Sequence, residues 1–220
     1  MNSFTEENYL KSIYMLSQQG KNITTNAIAN YLNTKASSVT DMLKKLSAKK
    51  TIHYKKYQGV SLTKSGSETA LKIIRKHRLW ETFLVEKLNF KWDEVHDIAE
   101  QLEHIISPEL TNRLEKFLDN PKFDPHGDPI PDKNGNISQQ KNIAIADLNK
   151  NESGKIVGVK DSSASFLQYL ENEHLVLGSK VKVLDKFDFD NSVLVNVNNK
   201  SKLTISNHVS SNLFVNKAVR

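Results

Sequence analysis

Four of the seven histidines fall between residues 77 and 126, with glutamates beside them at helical spacing. His77 and Glu81 stand one helical turn apart, so their side chains share a face. Further on, His96, Glu100, Glu103 and His104 recur in one stretch. With His96 as origin and about 100° per residue, Glu100 falls near 40°, Glu103 near −20° and His104 near 80°. Val95, Ile98, Ala99, Leu102, Ile105 and Ile106 take the opposite arc, so the apolar stripe and the His/Glu stripe do not overlap. Two such helices can turn His77, His96, His104, Glu81, Glu100 and Glu103 toward a shared space, as metal sites in helical proteins require. A solvated His/Glu face is the alternative reading for either helix alone. The chain has no cysteine, which excludes disulfides, iron–sulfur clusters and thiolate zinc sites. Any ion here must be held by nitrogen and oxygen.

The elements before these stretches read as a winged helix. Thr5 can cap a helix with Tyr9, Leu10, Ile13, Tyr14 and Leu16 on its inner face. A second helix starts near Thr24 or Thr25 and buries Ala27, Ile28, Tyr31 and Leu32. After the break Asn33-Thr34-Lys35, a third runs from Ala36 to Leu46 with Val39, Met42, Leu43 and Leu46 inward. Two helices joined by so short a turn make a helix-turn-helix. The first turn of the third helix is small and hydroxylated, which lets a helix N-terminus sit deep in a major groove. Thr25, Lys35, Ser37, Ser38, Thr40, Asp41, Lys44 and Lys45 are therefore the expected DNA contacts, the lysines attracting phosphate. Residues 52–63 read as two strands around a glycine turn, a wing with Lys55, Lys56 and Tyr57 near its tip. A helical bundle carrying a structural hairpin is the competing interpretation.

Charge follows the same division. The net charge is +6, yet residues 1–76 hold 13 Lys/Arg against 4 Asp/Glu, and the remainder holds 18 against 21. A basic N-terminal module facing a polyanion fits this asymmetry, as does a merely solvated basic surface. No apolar run approaches a membrane span, and the N-terminus carries acid where a signal peptide needs base. A cytoplasmic protein without a membrane partner is expected.

A long helix from Lys64-Ser65-Gly66 to about Leu88, another from about Asp93 to Ile106, and a third opened by Ser107-Pro108-Glu109 and ending at Leu118 form a second helical block. From Asp119 to Gln140, Pro, Gly, Asp and Asn read as a linker. Beyond residue 143 the period changes: 155–159, 180–184 and 192–197 alternate like strands, with a short helix at 166–170. His174 and His208 read as ordinary histidines, and Asp185, Asp188 and Asp190 as a polar turn without calcium-loop spacing.

Arg75-Lys76-His77-Arg78-Leu79-Trp80-Glu81 and Val95-His96-Asp97-Ile98-Ala99-Glu100-Gln101-Leu102-Glu103-His104 resemble the metal-binding and dimerisation region of the diphtheria toxin repressor and manganese transport regulator family. Pro125-His126-Gly127-Asp128-Pro129-Ile130-Pro131 is similar to the segment that follows in its longer members. The resemblance covers the whole chain. It implies a mainly α protein with a β wing and a small C-terminal β barrel: a winged helix over 1–72, a helical metal-binding and dimerisation domain with linker over 73–140, and an SH3-like domain of the ferrous-transport accessory type over 141–220. It further implies a homodimer on double-stranded operator DNA, repressing metal-uptake genes when a divalent ion binds, with no small organic substrate and no enzymatic turnover. Two metal sites per subunit are expected. One would use His77, Glu100, Glu103 and His104 with the N-terminal helix near Asn8; the other would use Glu81, Asp124, His126 and Asp161. His96 matches an ancillary ligand of the iron-responsive branch. Three positions depart from the family pattern: Asn8 replaces Asp or Met, Asp124 replaces Cys in related long members, and Glu100 replaces the Cys of the iron-responsive branch. Hard oxygen ligands favour Mn(II), with Fe(II) as the alternative. A winged-helix regulator that ignores metal also fits the departures. A metal-dependent hydrolase would need a nucleophile motif or a phosphate-cradling glycine loop, which the sequence does not display.

Overall fold

The computed structural model describes residues 3–20, 23–55, 58–138 and 142–217. The chain divides into two compact units, one of Met1–His77, Leu102–Ile106 and Pro131–Asn136, the other of Arg78–Gln101, Ser107–Ile130 and Ile137–Arg220.

The first unit opens with α1 (Phe4–Ser17), α2 (Thr25–Tyr31) and α3 (Ala36–Ala48). Its cap differs from expectation. Ser3 rather than Thr5 closes α1: its hydroxyl accepts the Glu6 N–H, and the Glu6 carboxylate accepts the Ser3 N–H at 2.8 Å. This reciprocal box satisfies two donors that a helix start leaves orphaned, and Ser3 with Glu6 has the required spacing. Thr24 caps α2 by accepting the Ala27 N–H. The antiparallel hairpin β1 (Ile52–Lys55) and β2 (Gly59–Leu62) follows, paired from Ile52 with Leu62 to Lys55 with Gly59. Leu10, Ile13, Ile28, Val39, Leu43, Leu46 and Ile52 form the core of this unit, which is why the apolar spacings of three helices converge. The first half of α4 (Lys64–Leu88) joins it through Ala70.

The second unit holds the rest of α4, then α5 (His96–Leu102) and α6 (Pro108–Phe117), the latter capped by Ser107 with Pro108 in its first turn. α5 is shorter than the expected 93–106. Trp92 and Val95 are buried ahead of it, and Glu103 and His104 follow it in a turn. Residues 119–138 contain no helix or strand, but they are not a loose linker: Asp124, His126, Gly127 and Ile130 are buried. A six-stranded antiparallel sheet ends the chain, built from β3 (Ile143–Ala144), β4 (Ser153–Val159), β5 (Lys180–Phe187), β6 (Ser192–Val197), β7 (Ser201–Ile205) and β8 (Leu213–Lys217). Its strand order is β3-β8-β4-β5-β6-β7, an open order with β3 and β7 at the edges. α7 (Ala164–Asn172) and α8 (Asn207–Asn212) complete it, and Leu167, Leu170, Val181, Val183, Val195 and Val215 fill the core against Trp92. No described helix is long and apolar enough to cross a membrane.

Candidate functional site

Two clusters of ionisable groups stand out, one in each unit, each with buried members. In the first, α4 supplies His77 and the turn after α5 supplies Glu103 and His104. Glu103 is fully buried, with Oε2 at 2.6 Å from His77 Nδ1. The opposite side is built by α1. Lys11 sends Nζ to 2.7 and 3.0 Å from the two Glu103 oxygens and 3.4 Å from His77 Nδ1. Glu7 pairs with His104, Oε2 to Nδ1 at 2.8 Å, and the Phe4 ring stacks on that imidazole at 4.6 Å. Burial works against the Glu103 charge, but the His77 hydrogen bond and the Lys11 ammonium outweigh it and hold its carboxyl below the usual range. Lys76 feels both Glu7 and Glu103, while burial lowers its own affinity for a proton.

Asn8, on α1, keeps its side-chain oxygen buried without a hydrogen-bond partner among the described residues. One helical turn separates Asn8 from Lys11, so the orphaned oxygen belongs to the face that carries the ammonium. A buried acceptor without a donor costs about 1–3 kcal/mol, and a cation would satisfy it. Two carboxylates, two imidazoles and this oxygen are donor types that a divalent ion such as manganese or iron accepts, with the Lys11 ammonium standing among them.

The second cluster joins Glu81 of α4 to Asp124 and His126, and the donor atoms of these three buried groups lie within 4.8 Å of one another. His126 Nε2 donates to the Trp92 carbonyl at 2.8 Å, which leaves Nδ1 turned toward Glu81 (3.6 Å) and Asp124 (4.0 Å). Fixing one ring nitrogen in this way is how proteins orient an imidazole ligand. Asp124 Oδ1 accepts the N–H groups of His126 and Asp128 at 2.8 and 3.0 Å, and Arg78 lies 3.5 Å from Oδ2. Burial, with Glu81 and Asp128, pushes the Asp124 carboxyl up; Glu81 and Asp124 push His126 up against its own burial. These three groups share protons that a dication could replace, so they too fit an ion.

The turn presenting this cluster depends on Gly127. Its φ is +86°, and a Cβ there would stand 2.1 Å from the Val157 carbonyl oxygen. The His126 carbonyl also accepts the Val159 N–H at 2.9 Å, tying the turn to β4.

The remaining expected ligands are His96, Glu100 and Asp161. His96 is exposed, with Nδ1 at 3.3 Å from Glu81 and Nε2 at 3.7 Å from Glu100. Glu100 thus meets His96 on its own helix. Asp161 follows β4, where its Oδ1 accepts the Ser163 N–H at 2.9 Å. Glu7 and Lys11 do not stand out in the sequence, although their spacing of four on an amphipathic helix places them on one face.

On α3, Ser37, Ser38, Asp41, Lys44 and Lys45 carry exposed or half-exposed side chains, and Lys35 is exposed just before it. Thr40 is half-buried and bonds back to the Ala36 carbonyl; Thr25 is half-buried in α2. Lys44 lies 3.3 Å from Asp41. Lys45 and Lys49 reach the buried Glu6 at 3.2 and 2.8 Å. Lys55 ends β1, and the side chains of Lys56 and Tyr57 fall outside the described residues.

Residues 2–60 match the N-terminal DNA binding domain of iron dependent repressors, residues 63–132 their metal binding and dimerisation domain, and residues 143–217 the FeoA domain. The iron-dependent repressor IdeR of Mycobacterium tuberculosis is 34% identical over 127 residues, 58% of this chain and 55% of that protein. The chain thus spans about half the length of that curated relative. Among solved structures, a manganese-dependent transcriptional repressor in complex with manganese superposes at a TM-score of 0.86 with 29% identity, over 97% of this chain and 100% of that one. The manganese regulator SloR superposes at 0.75 with 32% identity, over 97% and 98%.

Proposed function

Because the chain belongs to the iron-dependent repressor family of the diphtheria toxin repressor, with an FeoA domain at its C-terminus, we propose that it is a metal-activated transcriptional repressor answering to Mn(II). The observation that carries this reading is the pair of clusters, Glu7–His77–Glu103–His104, buried at His77 and Glu103, and the fully buried Glu81–Asp124–His126, both built without sulfur. Carboxylate and imidazole suit manganese, and two of the similar structures spanning nearly the whole chain are of a manganese-dependent repressor and a manganese regulator. Fe(II) is the second reading, favoured by the iron-dependent relative.

In this scheme residues 1–72 read operator DNA, 73–140 hold metal and the dimer contact, and 141–220 close as an SH3-like barrel. Asn8, Glu7, His77, Glu103 and His104 hold one ion, and Glu81, Asp124 and His126 the other, with Asp161, His96 and Glu100 as peripheral contributors. A bound dication supplies positive charge that draws the carboxylates of α1 and of the turn after α5 to a common point. The chain does the rest. α1 carries Glu7 toward His104 and Glu6 toward Lys45 and Lys49, so its position and that of the reading helix are linked. Were an ion held by Asn8 and Glu7 of α1, it would favour one arrangement of that link, and by reciprocity DNA on α3 would tighten the ion. Ser37, Ser38, Thr40 and Asp41 face bases, and Lys35, Lys44, Lys45 and Lys55, with Thr25, Lys56 and Tyr57, face the DNA backbone, in the cytoplasm. Fluorescence anisotropy with operator-length DNA, under anaerobic conditions, tests the proposal. Affinity should rise on adding Mn(II) and fall in excess chelator; equal affinity in both would overturn metal control.

A further inference from the structure

The ammonium of Lys11 bonds to both oxygens of Glu103, where an ion in the first cluster would compete with it. Nζ lies 2.7 and 3.0 Å from the Glu103 oxygens and 3.4 Å from His77 Nδ1, and the residue is 8% exposed. An oxygen lone pair committed to an N–H cannot also bind a metal. Charge points the same way. The carboxylates of Glu7 and Glu103 already face two ammonium groups, Lys11 and Lys76. A dication added to this balanced set meets repulsion from Lys11 at close range. Lys11 also has the means to leave, because its four-carbon stem can carry the ammonium toward water while the stem stays packed.

We propose that Lys11 is a built-in competitor of the metal: it serves as the counter-ion of Glu103 in the metal-free protein and must swing aside for loading. This rests on the metal reading of the first cluster. Its consequence is a raised threshold, because every ion bound must first displace an internal cation. Lys11 thereby sets the metal concentration at which the protein responds.

The test is calorimetric titration of Mn(II) into the full chain, alongside thermal melts in excess chelator. Lys11→Met, which keeps length and removes charge, should tighten one Mn(II) site by about 10- to 100-fold, the range a charge-assisted hydrogen bond commands. It should also lower Tm in chelator and recover it in saturating Mn(II). Lys11→Arg, which keeps the charge, should bind no more tightly than wild type. Lys11→Gln, which still donates to Glu103, should fall between and serves if Lys11→Met does not fold. A Lys11→Met or Lys11→Gln protein whose Mn(II) affinity is unchanged or weaker overturns the proposal. Glu103→Gln separates the two levels. If it loses one site while the Lys11 variants titrate like wild type, the competitor fails and the site stands; if it too titrates like wild type, both fall.

Discussion

Replacing Glu6 by Gln removes one charge and keeps the shape of the capping box, since an amide oxygen can still accept the Ser3 N–H. Glu6 is 1% exposed, and its Oε1 lies 2.8 Å from Lys49 and 3.2 Å from Lys45. Burial opposes its ionisation, but Lys49, the Ser3 N–H and Lys45 bring the carboxyl from 4.5 down to about 2. Taken whole, such a shift corresponds to about 3 kcal/mol. The two lysine side chains are 56% and 38% exposed, so solvent screening reduces the expected value to about 1–2 kcal/mol. The sign follows from the depressed value. The stabilisation is full above pH 4.5, declines as pH falls and is gone near pH 2. Glu6→Gln should therefore be less stable than wild type by about 1–2 kcal/mol at pH 7, with the two proteins converging near pH 2. Both tryptophans, Trp80 and Trp92, lie beyond the winged helix, so tryptophan fluorescence does not report on this change directly. Urea denaturation read by NMR on α1 and α3 amides is the appropriate assay. A gap equally large at pH 2 and pH 7 would refute an ionic origin.

Gly127→Ala forces a Cβ against the Val157 backbone at a positive φ and should cost about 3 kcal/mol; thermal melts followed through Trp92, which stacks on His126, would show no shift if the turn can yield. Lys44→Ala should weaken DNA binding across all sequences and reduce the salt slope by about 0.9 for each phosphate that it ceases to neutralise, measured by anisotropy from low to moderate salt. An unchanged slope removes Lys44 from the interface. Leu170→Ala empties a fully buried position of α7 and should destabilise the sheet by about 2–5 kcal/mol in denaturant; a loss under about 1 kcal/mol would mean that the site collapses around the smaller side chain.

Local periodicity makes much of the fold legible. The spacing of Val39, Leu43 and Leu46 fixes the buried face of α3, and the structure buries all three. The alternation in 180–184 and 192–197 foretells β5 and β6. β7, β8 and α8 carry weaker signals, because Ser201–Ile205 has only Leu203 and Ile205 as apolar members and Leu213–Lys217 ends in polar residues. The α1 cap is ambiguous in the sequence because Thr5 competes with the Ser3/Glu6 pair, which only the reciprocal hydrogen bonds decide. The extent of α5 is equally hard to read, since periodicity cannot tell Val95, buried before the helix, from a residue within it. For the site, His77, Glu103 and His104 are legible as ligating types, and so is Glu81. Their partners are not. Glu7 and Lys11 meet them only through tertiary packing, from positions 97 and 92 residues distant along the chain from His104 and Glu103 respectively. The Pro/Gly/Asp composition of 119–138 describes a turn-rich segment correctly but says nothing of its burial, which follows from hydrogen bonds such as those that Asp124 makes to its own neighbours.

The first unit recruits Leu102–Ile106 and Pro131–Asn136 from far along the chain. An N-terminal fragment cut away after residue 72 would retain Lys11 but leave behind Glu103 and His77, the groups around which its ammonium is buried. Grafting this fragment onto a different body would meet the same difficulty unless the recruited segments travelled with it. Chimaeras spliced after residue 72 should therefore fold poorly for an electrostatic reason that no inspection of the border itself would reveal.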